Sequence, residues 1–334
     1  MQSFSRPALL VVELWGLGDL ALAVPFLQEA SRHAPVTLVA KPQWAPLLES
    51  FCPEIALVPF VAPWTAFTGK YRLRSWPWRD LRALVQTLRA RHFDLAVSAR
   101  PDPRDHVLLR LAGARHRLGF PRAGSGVLLS TQLSDGQALH RADAWRRLAA
   151  ALEWSLAAPA GKRLRAAAPD APIVLHSGAG QPTRIWPLER FAAIAGRLRS
   201  TGRAVRVLCD AGQLAEWRRL GESGASAPAD VGALLDALAD AAQFLGSDSG
   251  PGHVAALCGV PTFTIFGPSL VQLFSPVHPR AGWAEGHFCP FKPCRDYCRF
   301  PTPRCIDQIT VDEVWRKLVA WLQHVPASAA AHRG

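Results

Sequence analysis

The 334-residue sequence lacks any apolar run that approaches the roughly 18–20 residues needed for a membrane-spanning helix. Its first residues, MQSFSRPALLVVELWG, also lack the long uninterrupted apolar core of a signal peptide, because an acid interrupts a short apolar run. With no export signal, we expect the seven cysteines to be reduced and the protein to be cytoplasmic.

Lysine is scarce, with five residues, so arginine carries most of the formal net charge of +12. The excess is uneven, because Lys70–Arg122 holds 13 basic and 4 acidic residues. Forked guanidinium groups suit phosphate and carboxylate recognition, whereas no nucleic-acid-binding signature accompanies this charge. We therefore expect an anionic partner other than nucleic acid, although solvated basic faces alone would also explain the excess.

Short buried strands alternate with helical patterns along the chain, which predicts parallel sheets joined by crossover helices. An Ala- and Pro-rich stretch, Leu156–Pro172, separates two halves that repeat this rhythm. The prediction is an α/β fold of two Rossmann-like, doubly wound domains, residues 1–160 and 161–325, that face a central ligand cleft, with a flexible tail at 326–334. In the first half the predicted strands are Ala8–Leu14, Val36–Ala40, Glu54–Phe60 and Asp94–Ala99, and the predicted helices include Leu20–Arg32 and Trp78–Arg91.

The loop WGLGD directly follows the first predicted strand. Gly16, Gly18 and Ala21 fit the relaxed dinucleotide fingerprint. Asp19 would repel a pyrophosphate there, and Lys41 replaces the acid expected after the second strand, so an NADP-linked oxidoreductase stays open only as an alternative. Asp19 itself has two interpretations: it caps the following helix, or it points into the cleft as a general base.

A second strand-to-helix loop, HSGAGQPTRIWP, opens the second half of the chain. Backbone N–H groups of its small residues would cradle a phosphate, and Arg184 would add a forked donor. A tight turn alone explains the glycines, but it does not explain an arginine and a tryptophan at the same edge. The predicted cradle residues are Ser177, Gly178, Ala179 and Gly180.

The third loop, GSDSGPGH, follows a strand and leads into the helical pattern PGHVAALCGV. Its serine, histidine and aspartate invite a hydrolase interpretation, but Ser249 lacks the G-x-S-x-G elbow and the spacing gives no triad. Phosphate binding at a helix N-terminus fits better, with Ser249, Gly250 and His253 as donors. His253 would otherwise be a buried structural histidine.

Four of the seven cysteines crowd the stretch CPFKPCRDYCRFPTPRC, with the spacing C-x4-C-x3-C-x6-C. The stretch lacks the paired C-x2-C knuckles of strong zinc motifs. Four thiols so close together still suggest a structural zinc or iron site, against free thiols or a stress disulfide. The predicted ligands are Cys289, Cys294, Cys298 and Cys305.

Taken together, the three loops resemble those of the ADP-heptose:lipopolysaccharide heptosyltransferases, glycosyltransferase family 9. The resemblance rests on GLGDLALAVPFLQ, HSGAGQPTRIWPLERFAAIAGRL and LGSDSGPGHVAALCGVPTFTIFGPS, with RLGF between the first two, and covers nearly the whole chain. It implies the two-domain GT-B fold. It also implies inverting transfer of a heptose, without an essential metal cofactor, from an ADP-sugar donor to the lipopolysaccharide core or a similar anionic glycan. A non-catalytic nucleotide-sugar-binding relative is a further alternative.

The resemblance also implies roles for single residues. Asp19 corresponds to the family's general base on the acceptor hydroxyl, and Arg184 to the basic residue that assists departure of the donor diphosphate. The basic Lys70–Arg122 region is expected to meet an anionic glycolipid at the cytoplasmic face of the inner membrane, as a peripheral contact. The implied donor-binding residues are Gly18, Ser177, Gly178, Ala179, Gly180, Arg184, Asp248, Ser249, Gly250 and His253.

Two departures from the family pattern leave the donor sugar open. Many members carry lysine where this chain has Arg184, which keeps the charge but changes the reach of the side chain. The loop that meets the nucleoside in the family reads CDAGQLAEW here, with Asp210 and Glu216 as loose candidates for that contact.

Overall fold

The computed structural model describes residues 8–134, 140–161, 168, 170–294 and 297–325, so the predicted tail at 326–334 lies outside the described residues. The chain divides into two compact units, Met1–Ala160 and Gly161–Gly334, termed here the N-domain and the C-domain. Among the described residues, no helix is both long enough and apolar enough to cross a membrane.

The described part of the N-domain is built on a parallel sheet of six strands. The strands are β1 (Leu9–Val12), β2 (Val36–Ala40), β3 (Ala56–Pro59), β4 (Leu95–Ser98), β5 (His116–Gly119) and β6 (Thr131–Gln132). They lie in the order β3-β2-β1-β4-β5-β6, and every neighbouring pair is parallel. Strands β1 and β2 are wholly buried, which explains why they form continuous apolar runs in the sequence.

The described helices of the N-domain are α1 (Leu17–His33), α2 (Ala45–Phe51), α3 (Trp78–Arg89), α4 (Pro103–Leu111) and α5 (Arg141–Ala151). Helix α1 begins at Leu17 rather than at the predicted Leu20. Its first turn is stabilised because the Gly16 N–H donates to Asp19 Oδ2 at 3.1 Å. Asp19 therefore does cap its helix, and any catalytic role comes in addition to that one.

The described part of the C-domain is built on a parallel sheet of five strands in the order β8-β7-β9-β10-β11. The strands are β7 (Ile173–His176), β8 (Val205–Leu208), β9 (Gln243–Ser247), β10 (Thr262–Phe266) and β11 (Gly282–Glu285). The helices are α6 (Leu188–Ser200), α7 (Leu214–Arg219), α8 (Val231–Leu238), α9 (Gly250–Leu257), α10 (Val271–Phe274), α11 (Arg304–Asp307) and α12 (Val311–His324).

Each sheet has a switch point, the place where the order of strand addition reverses. It lies between β1 and β4 in the N-domain and between β7 and β9 in the C-domain. Ligands of open parallel sheets bind at the carboxyl ends of the strands at such a point. Strands β1, β7 and β9 are the three strands that precede the three predicted loops. The predicted fold class, two Rossmann-like α/β domains, is confirmed.

Strands β5, β6 and β11 were not predicted from the sequence. Each of them has exposed positions, and β6 and β11 lie at the edges of their sheets. Strand β5 begins with His116 and Arg117, so no continuous apolar run marks it. Patterns of buried apolar residues find the centre of a parallel sheet better than its margins.

Trp186 is fully buried in the core of the C-domain. Its indole N–H donates to the carbonyl oxygen of Ile309 at 2.9 Å, and its ring meets Phe191 edge-on at 5.1 Å. Ile309 lies just before α12, whose Val314 belongs to the same apolar cluster. This contact fixes the loop that carries Arg184 to the segment that leads into α12.

Gly246 in β9 provides a test of how closely the C-domain sheet packs at its switch point. A methyl group added there would lie 2.7 Å from the carbonyl oxygen of His176 and 2.9 Å from Cε1 of Phe244. We therefore expect Gly246→Ala to lower the free energy of unfolding, measured in urea, by about 1–3 kcal/mol.

Gly196→Ala is the matched control for this substitution. Gly196 lies on the exposed side of α6, and no atom lies within 4 Å of the added methyl group. Alanine favours the helix over glycine, so the control should gain up to about 1 kcal/mol. Equal stability of the two variants would contradict the close packing around Gly246.

Candidate active site

At the N-domain switch point, Asp19 meets an arginine from the neighbouring strand. Asp19 lies in the first turn of α1, just after β1, and Arg100 follows β4. Arg100 Nη2 lies 2.7 Å from Asp19 Oδ1, while the Gly16 N–H donates to the other carboxylate oxygen at 3.1 Å. Both oxygens of Asp19 are therefore engaged by donors, which holds the side chain in one orientation.

Arg100 is itself enclosed by acids and an indole. Its guanidinium carbon lies 4.7 Å from the centroid of the Trp15 ring, a cation–π contact. Burial by itself would lower the pKa of Arg100, but the charges of Asp19, Glu13 and Asp105 outweigh it and raise the pKa above its usual value. Arg100 therefore stays protonated and supplies the positive charge that these acids share.

Glu13 comes directly after β1 and is 2% exposed. Its Oε1 accepts the backbone N–H of Trp15 at 3.0 Å. Burial first, and then the charge of Asp19, raise the pKa of Glu13 to about 8, although Arg100 opposes the shift. Lys41, which follows β2, lies near the same two acids, and burial lowers its pKa. At neutral pH Glu13 is therefore mostly a neutral acid that holds a proton beside Asp19.

Asp105, in the first turn of α4, is a further buried acid of this region. One oxygen accepts the indole N–H of Trp15 at 3.2 Å, and the other accepts the indole N–H of Trp64 at 2.8 Å. Burial raises the pKa of Asp105 to about 7. The two indoles compensate part of the cost of burying this carboxyl group.

These side chains form one group, termed here the charge cluster, at the carboxyl ends of β1, β2 and β4. Its members are Glu13, Asp19, Lys41, Arg100 and Asp105. Such a cluster can hold one carboxylate ready to accept a proton, with its charge balanced by an adjacent guanidinium. Sequence reasoning found Asp19 and Lys41 but missed the other three. Only the order of the strands would have revealed them, because the pairing of β4 with β1 brings Arg100 and Asp105 next to the β1 loop.

At the C-domain switch point, the structure brings the second and third predicted loops together. Arg184 follows β7, and Asp248 follows β9. Arg184 Nη1 lies 3.4 Å from Asp248 Oδ2, and its Nε donates to Gln181 Oε1 at 3.0 Å. The Asp248 side chain is 3% exposed, whereas that of Arg184 is 26% exposed. A buried acid therefore orients a guanidinium that stays accessible at the edge of the sheet.

Ser177 is fully buried at the carboxyl end of β7. Its hydroxyl donates to Gln213 Oε1 and accepts the Trp217 indole N–H, both at 2.9 Å. Its backbone N–H donates to the carbonyl oxygen of Leu208 at 3.2 Å, and its own carbonyl accepts the Ser247 hydroxyl at 3.1 Å. Ser177 thus fastens the predicted cradle to β8, α7 and β9.

Gly178 lies against an acid from the loop after β8. A methyl group added at Gly178 would overlap the carboxylate of Asp210, so glycine is required while Asp210 holds this position. Burial lowers the pKa of His176, and the charge of Asp210 opposes that shift. Asp210 therefore lies beside the predicted cradle, whereas Glu216 lies in α7 and pairs with Arg219.

Helix α9 begins at this same edge. Ser249 is its N-cap residue, but the hydroxyl donates to the Ser247 carbonyl at 3.2 Å instead of capping the helix. Gly250 is the first helical residue, and His253, 8% exposed, belongs to the first turn. The N-terminus of a helix attracts anions through its N–H groups and its dipole. The predicted donor-binding residues of the third loop therefore lie where an anion would be stabilised.

Comparison with known proteins identifies the family. Residues 81–300 match glycosyltransferase family 9 (heptosyltransferase), which is 220 of the 334 residues. The chain belongs to glycosyltransferase family 9. The matched range includes Arg100, Arg184 and Asp248.

Individual family 9 proteins agree with this membership. Over 291 residues the chain is 27% identical to lipopolysaccharide heptosyltransferase 1 of Pseudomonas aeruginosa, with 78% of each chain covered. The crystal structure of a family 9 glycosyl transferase from Veillonella parvula matches with a TM-score of 0.75 at 19% identity, and covers 97% of this chain and 99% of that one. The E. coli heptosyltransferase WaaC, solved with ADP-2-deoxy-2-fluoro heptose, gives a TM-score of 0.69 at 18% identity, with 94% and 99% covered.

These findings confirm the resemblance noted in the sequence and the expected GT-B fold. A member of family 9 is a glycosyltransferase of the heptosyltransferase type. This membership favours glycosyl transfer over the NADP-linked alternative.

The four clustered cysteines of this family 9 protein lie around the segment between β11 and α11. Cys305 is buried, and Cys289, Cys294 and Cys298 are half-buried. Burial raises the pKa of Cys305 to about 11. The charge of Lys292 opposes this shift, and the neighbouring thiols add to it.

The placement of these thiols tests the predicted metal site. Within the described residues, which leave out 295 and 296 of this stretch, no three His, Cys, Asp or Glu side chains form a group that could hold a metal ion. The thiols as placed do not make a closed ligand set. The structural zinc or iron stays a prediction, which metal analysis of protein purified without chelator can decide.

The raised pKa of Glu13 makes the stability of this glycosyltransferase depend on pH. Its folded pKa of about 8 lies above the ordinary value of 4.5, so the folded state binds this proton more tightly than the unfolded state. The stability that Glu13 contributes is therefore complete below the ordinary value and is lost as pH rises toward about 8.

Glu13→Gln isolates this effect, because glutamine keeps an oxygen for the Trp15 N–H but cannot ionise. We expect its free energy of unfolding to rise relative to wild type across that pH window, by about 1.4 kcal/mol for each unit by which the pKa is raised. Urea denaturation at a series of pH values measures the difference, with Glu49→Gln, at an exposed acid of α2, as control. A pH-independent difference for Glu13→Gln would contradict a buried, protonated Glu13.

Proposed function

We propose that the protein is an inverting glycosyltransferase that moves a heptose, or a related sugar, from an ADP-sugar donor to a lipopolysaccharide core or a similar anionic glycan. The observation that carries this proposal is the Arg184–Asp248 pair beside the start of α9. It gathers an oriented guanidinium and a helix N-terminus at one switch point, an edge that suits a diphosphate. The relatives support the donor class, since one is a lipopolysaccharide heptosyltransferase and another was solved with ADP-2-deoxy-2-fluoro heptose.

On the donor side, negative charge grows on the diphosphate as the bond to the anomeric carbon breaks. Arg184 would donate to the leaving phosphate while Asp248 keeps the guanidinium aimed. Amides near Gly178 and Gly180, and the first turn of α9, would add uncharged donors. We propose that these groups, without an essential metal ion, stabilise the departing ADP. Ser177 would hold the loop in shape, because its amide and hydroxyl are bonded within the C-domain.

On the acceptor side, Asp19 would take the proton of the attacking hydroxyl while the hydroxyl oxygen bonds to the anomeric carbon. The electron pair of the broken bond leaves with ADP, so one step inverts the anomeric centre. The proton on Glu13 favours ionisation of Asp19, because a buried acid and a half-buried acid that interact do not ionise together readily. Arg100 would act as a positioning residue that orients Asp19 and balances its charge. This cluster favours an enzyme over a non-catalytic nucleotide-sugar-binding relative.

We propose that the acceptor is an anionic glycolipid at the cytoplasmic face of the inner membrane, reached by peripheral contact. The basic Lys70–Arg122 region belongs to the N-domain, which also carries Asp19. Many of its cations are exposed and accessible to an anionic partner: Arg72, Arg74, Arg79, Arg82, Arg89, Arg91, Arg110 and Arg115. Phosphates and carboxylates of such an acceptor are suitable partners for these forked groups.

A thermal-shift panel of ADP-heptose, other ADP-sugars, UDP-sugars, GDP-sugars and NADP tests the donor class. We expect ADP-sugars to raise the Tm, because a ligand that binds only the folded state at 100 times its Kd stabilises it by about 2.7 kcal/mol. Arg184→Met should weaken this shift. Arg197→Met is the matched control, since Arg197 lies in α6 and pairs with Asp312. A shift with NADP alone would refute the proposed donor.

Asp19→Asn tests the general base. Asparagine still accepts the Gly16 N–H but cannot take the hydroxyl proton, so we expect kcat for ADP release to fall roughly 10²–10⁴-fold. The thermal shift with ADP-sugar should persist in this variant. Asp80→Asn is the control, because Asp80 is also an acid in the first turn of a helix, α3. Undiminished turnover in Asp19→Asn would remove the assignment.

The same assay separates a positioning role of Arg100 from a merely structural one. Loss of its charge removes a partner that favours the ionised form of Asp19, so the acid limb of the kcat–pH profile should move to higher pH in Arg100→Met. Arg100→Lys keeps the charge and should shift the limb less. An unmoved pH profile in Arg100→Met would show that Arg100 does not act through Asp19.

A further inference from the structure

An aromatic and basic segment, Ala66–Arg79, lies on the surface of the N-domain. Its residues are exposed, apart from Lys70 and Trp76, which are half-buried. Its large apolar side chains are exposed to an unusual degree: Phe67 by 56%, Tyr71 by 77%, Leu73 by 56% and Trp78 by 55%. Large apolar side chains exposed together in one short segment are typical of a surface that meets a partner.

A row of three packed indoles fixes this aromatic-basic segment to the N-domain core. Trp64, just before the segment, is 3% exposed, and Trp76 packs against the same apolar cluster. The ring centroids of Trp64 and Trp76 lie 5.6 Å apart, and those of Trp76 and Trp78 lie 5.5 Å apart. Trp78 Nε1 also donates to the carbonyl oxygen of Leu73 at 2.9 Å. The exposed Trp78 ring is therefore held in place before any partner binds, which lowers the entropy lost on docking.

Cations alternate with the aromatic residues along the segment. It contains Lys70, Arg72, Arg74 and Arg79 and no acid. The Lys70 ammonium lies 5.4 Å from the centroid of the Tyr71 ring. Long basic side chains beside apolar ones match a surface that is anionic at its face and apolar just beneath.

We propose that the aromatic-basic segment docks the N-domain onto a bilayer that contains anionic lipid. Trp78 and Tyr71 would lie at the level of the headgroups, where amphipathic rings are favoured, and Phe67 would reach the acyl boundary. The cations would bind lipid phosphates. Single-stranded nucleic acid also offers phosphates and stacking faces, but the exposed aliphatic Leu73 gains nothing from base stacking.

This inference rests on the proposed function, because an acceptor embedded in a membrane requires the enzyme at that surface. The N-domain links the two sites through one buried acid. Asp105 accepts the indole N–H of Trp64, at the base of the segment, and that of Trp15, beside Arg100. Arg100 in turn holds Asp19. When the segment is docked, these contacts would connect the proposed base Asp19 to the surface that meets the bilayer.

Vesicle sedimentation of the full-length protein, without donor or acceptor, tests the docking. We expect the protein to pellet with phosphatidylcholine–phosphatidylglycerol vesicles, less so as salt rises, and not with phosphatidylcholine alone. The variants Phe67→Ser/Tyr71→Ser/Leu73→Ser and Arg72→Glu/Arg74→Glu/Arg79→Glu should each weaken partitioning by about tenfold or more. All six positions are exposed, so folding should persist, and an unchanged Tm verifies it.

Matched controls carry the same changes in the C-domain. Phe288→Ser removes an aromatic side chain that is 91% exposed, and Arg316→Glu/Lys317→Glu reverses two exposed cations of α12. Both should pellet like the wild type. Equal pelleting of the Phe67/Tyr71/Leu73 variant and the wild type would overturn the proposal. The proposal would also be overturned if the wild type bound a single-stranded oligonucleotide instead of vesicles and the same variants lost that binding.

A second readout keeps this inference separate from the proposed function. The Phe67/Tyr71/Leu73 variant should transfer sugar to a water-soluble, delipidated acceptor at the wild-type rate, because these side chains serve docking alone. Sugar transfer without vesicle binding by the wild type would refute the docking and leave the proposed function standing. Vesicle binding without any transfer from ADP-sugars would refute the proposed function instead.

Discussion

Between β1 and β4, and again between β7 and β9, the strand order reverses, so the connections leave these neighbouring strands toward opposite faces of the sheet. The carboxyl ends of the two strands are then not covered by a crossover, and the loops there are available for binding. Asp19 and Arg100 occupy this place in the N-domain, and Arg184 and Asp248 occupy it in the C-domain. The topology of the two sheets thus decides which residues meet, although these residues are far apart in the chain.

The charge cluster of the N-domain illustrates how buried acids are accommodated. Burying three carboxyl groups near Arg100 and Lys41 has a large cost if all three are ionised. Glu13 holds a proton, Asp105 receives two indole N–H groups, and Arg100 is left to balance Asp19. Shifted pKa values of this kind are typical of reaction sites, where one group must differ from its neighbours in protonation.

The sequence indicated most of the C-domain site, because each of its loops is a strand followed by small residues and a helix start. Arg184 and Asp248 stand in such loops, and only their mutual contact required the structure. In the N-domain, Arg100 and Asp105 stand in a charged stretch, RPDPRD, that lacks small residues, and Glu13 stands within an apolar run. Their association depends on the β1–β4 pairing, which a local pattern does not encode.

Tertiary contacts also decide two features that the sequence did not show. Ser177 stays a predicted contact of the donor, and the structure adds that its amide, hydroxyl and carbonyl are bonded to residues at β8, α7 and β9. The basic character of Ala66–Arg79 was visible in the sequence, but the exposure of its aromatic side chains was not. Tryptophan and phenylalanine occur in cores as readily as on binding surfaces, so composition alone does not separate the two.

The bond from the Trp186 indole to the Ile309 carbonyl joins residues 123 positions apart, and Arg184 stands two residues before that indole. The ribosome must therefore add a long stretch of chain after Arg184 before the partner of Trp186 exists. Until then this loop lacks the contact that fixes its shape, even though β7 and α6 have already been made. The order of synthesis thus separates the appearance of Arg184 from the fixing of its loop, and the C-domain acquires its final shape as a unit rather than loop by loop.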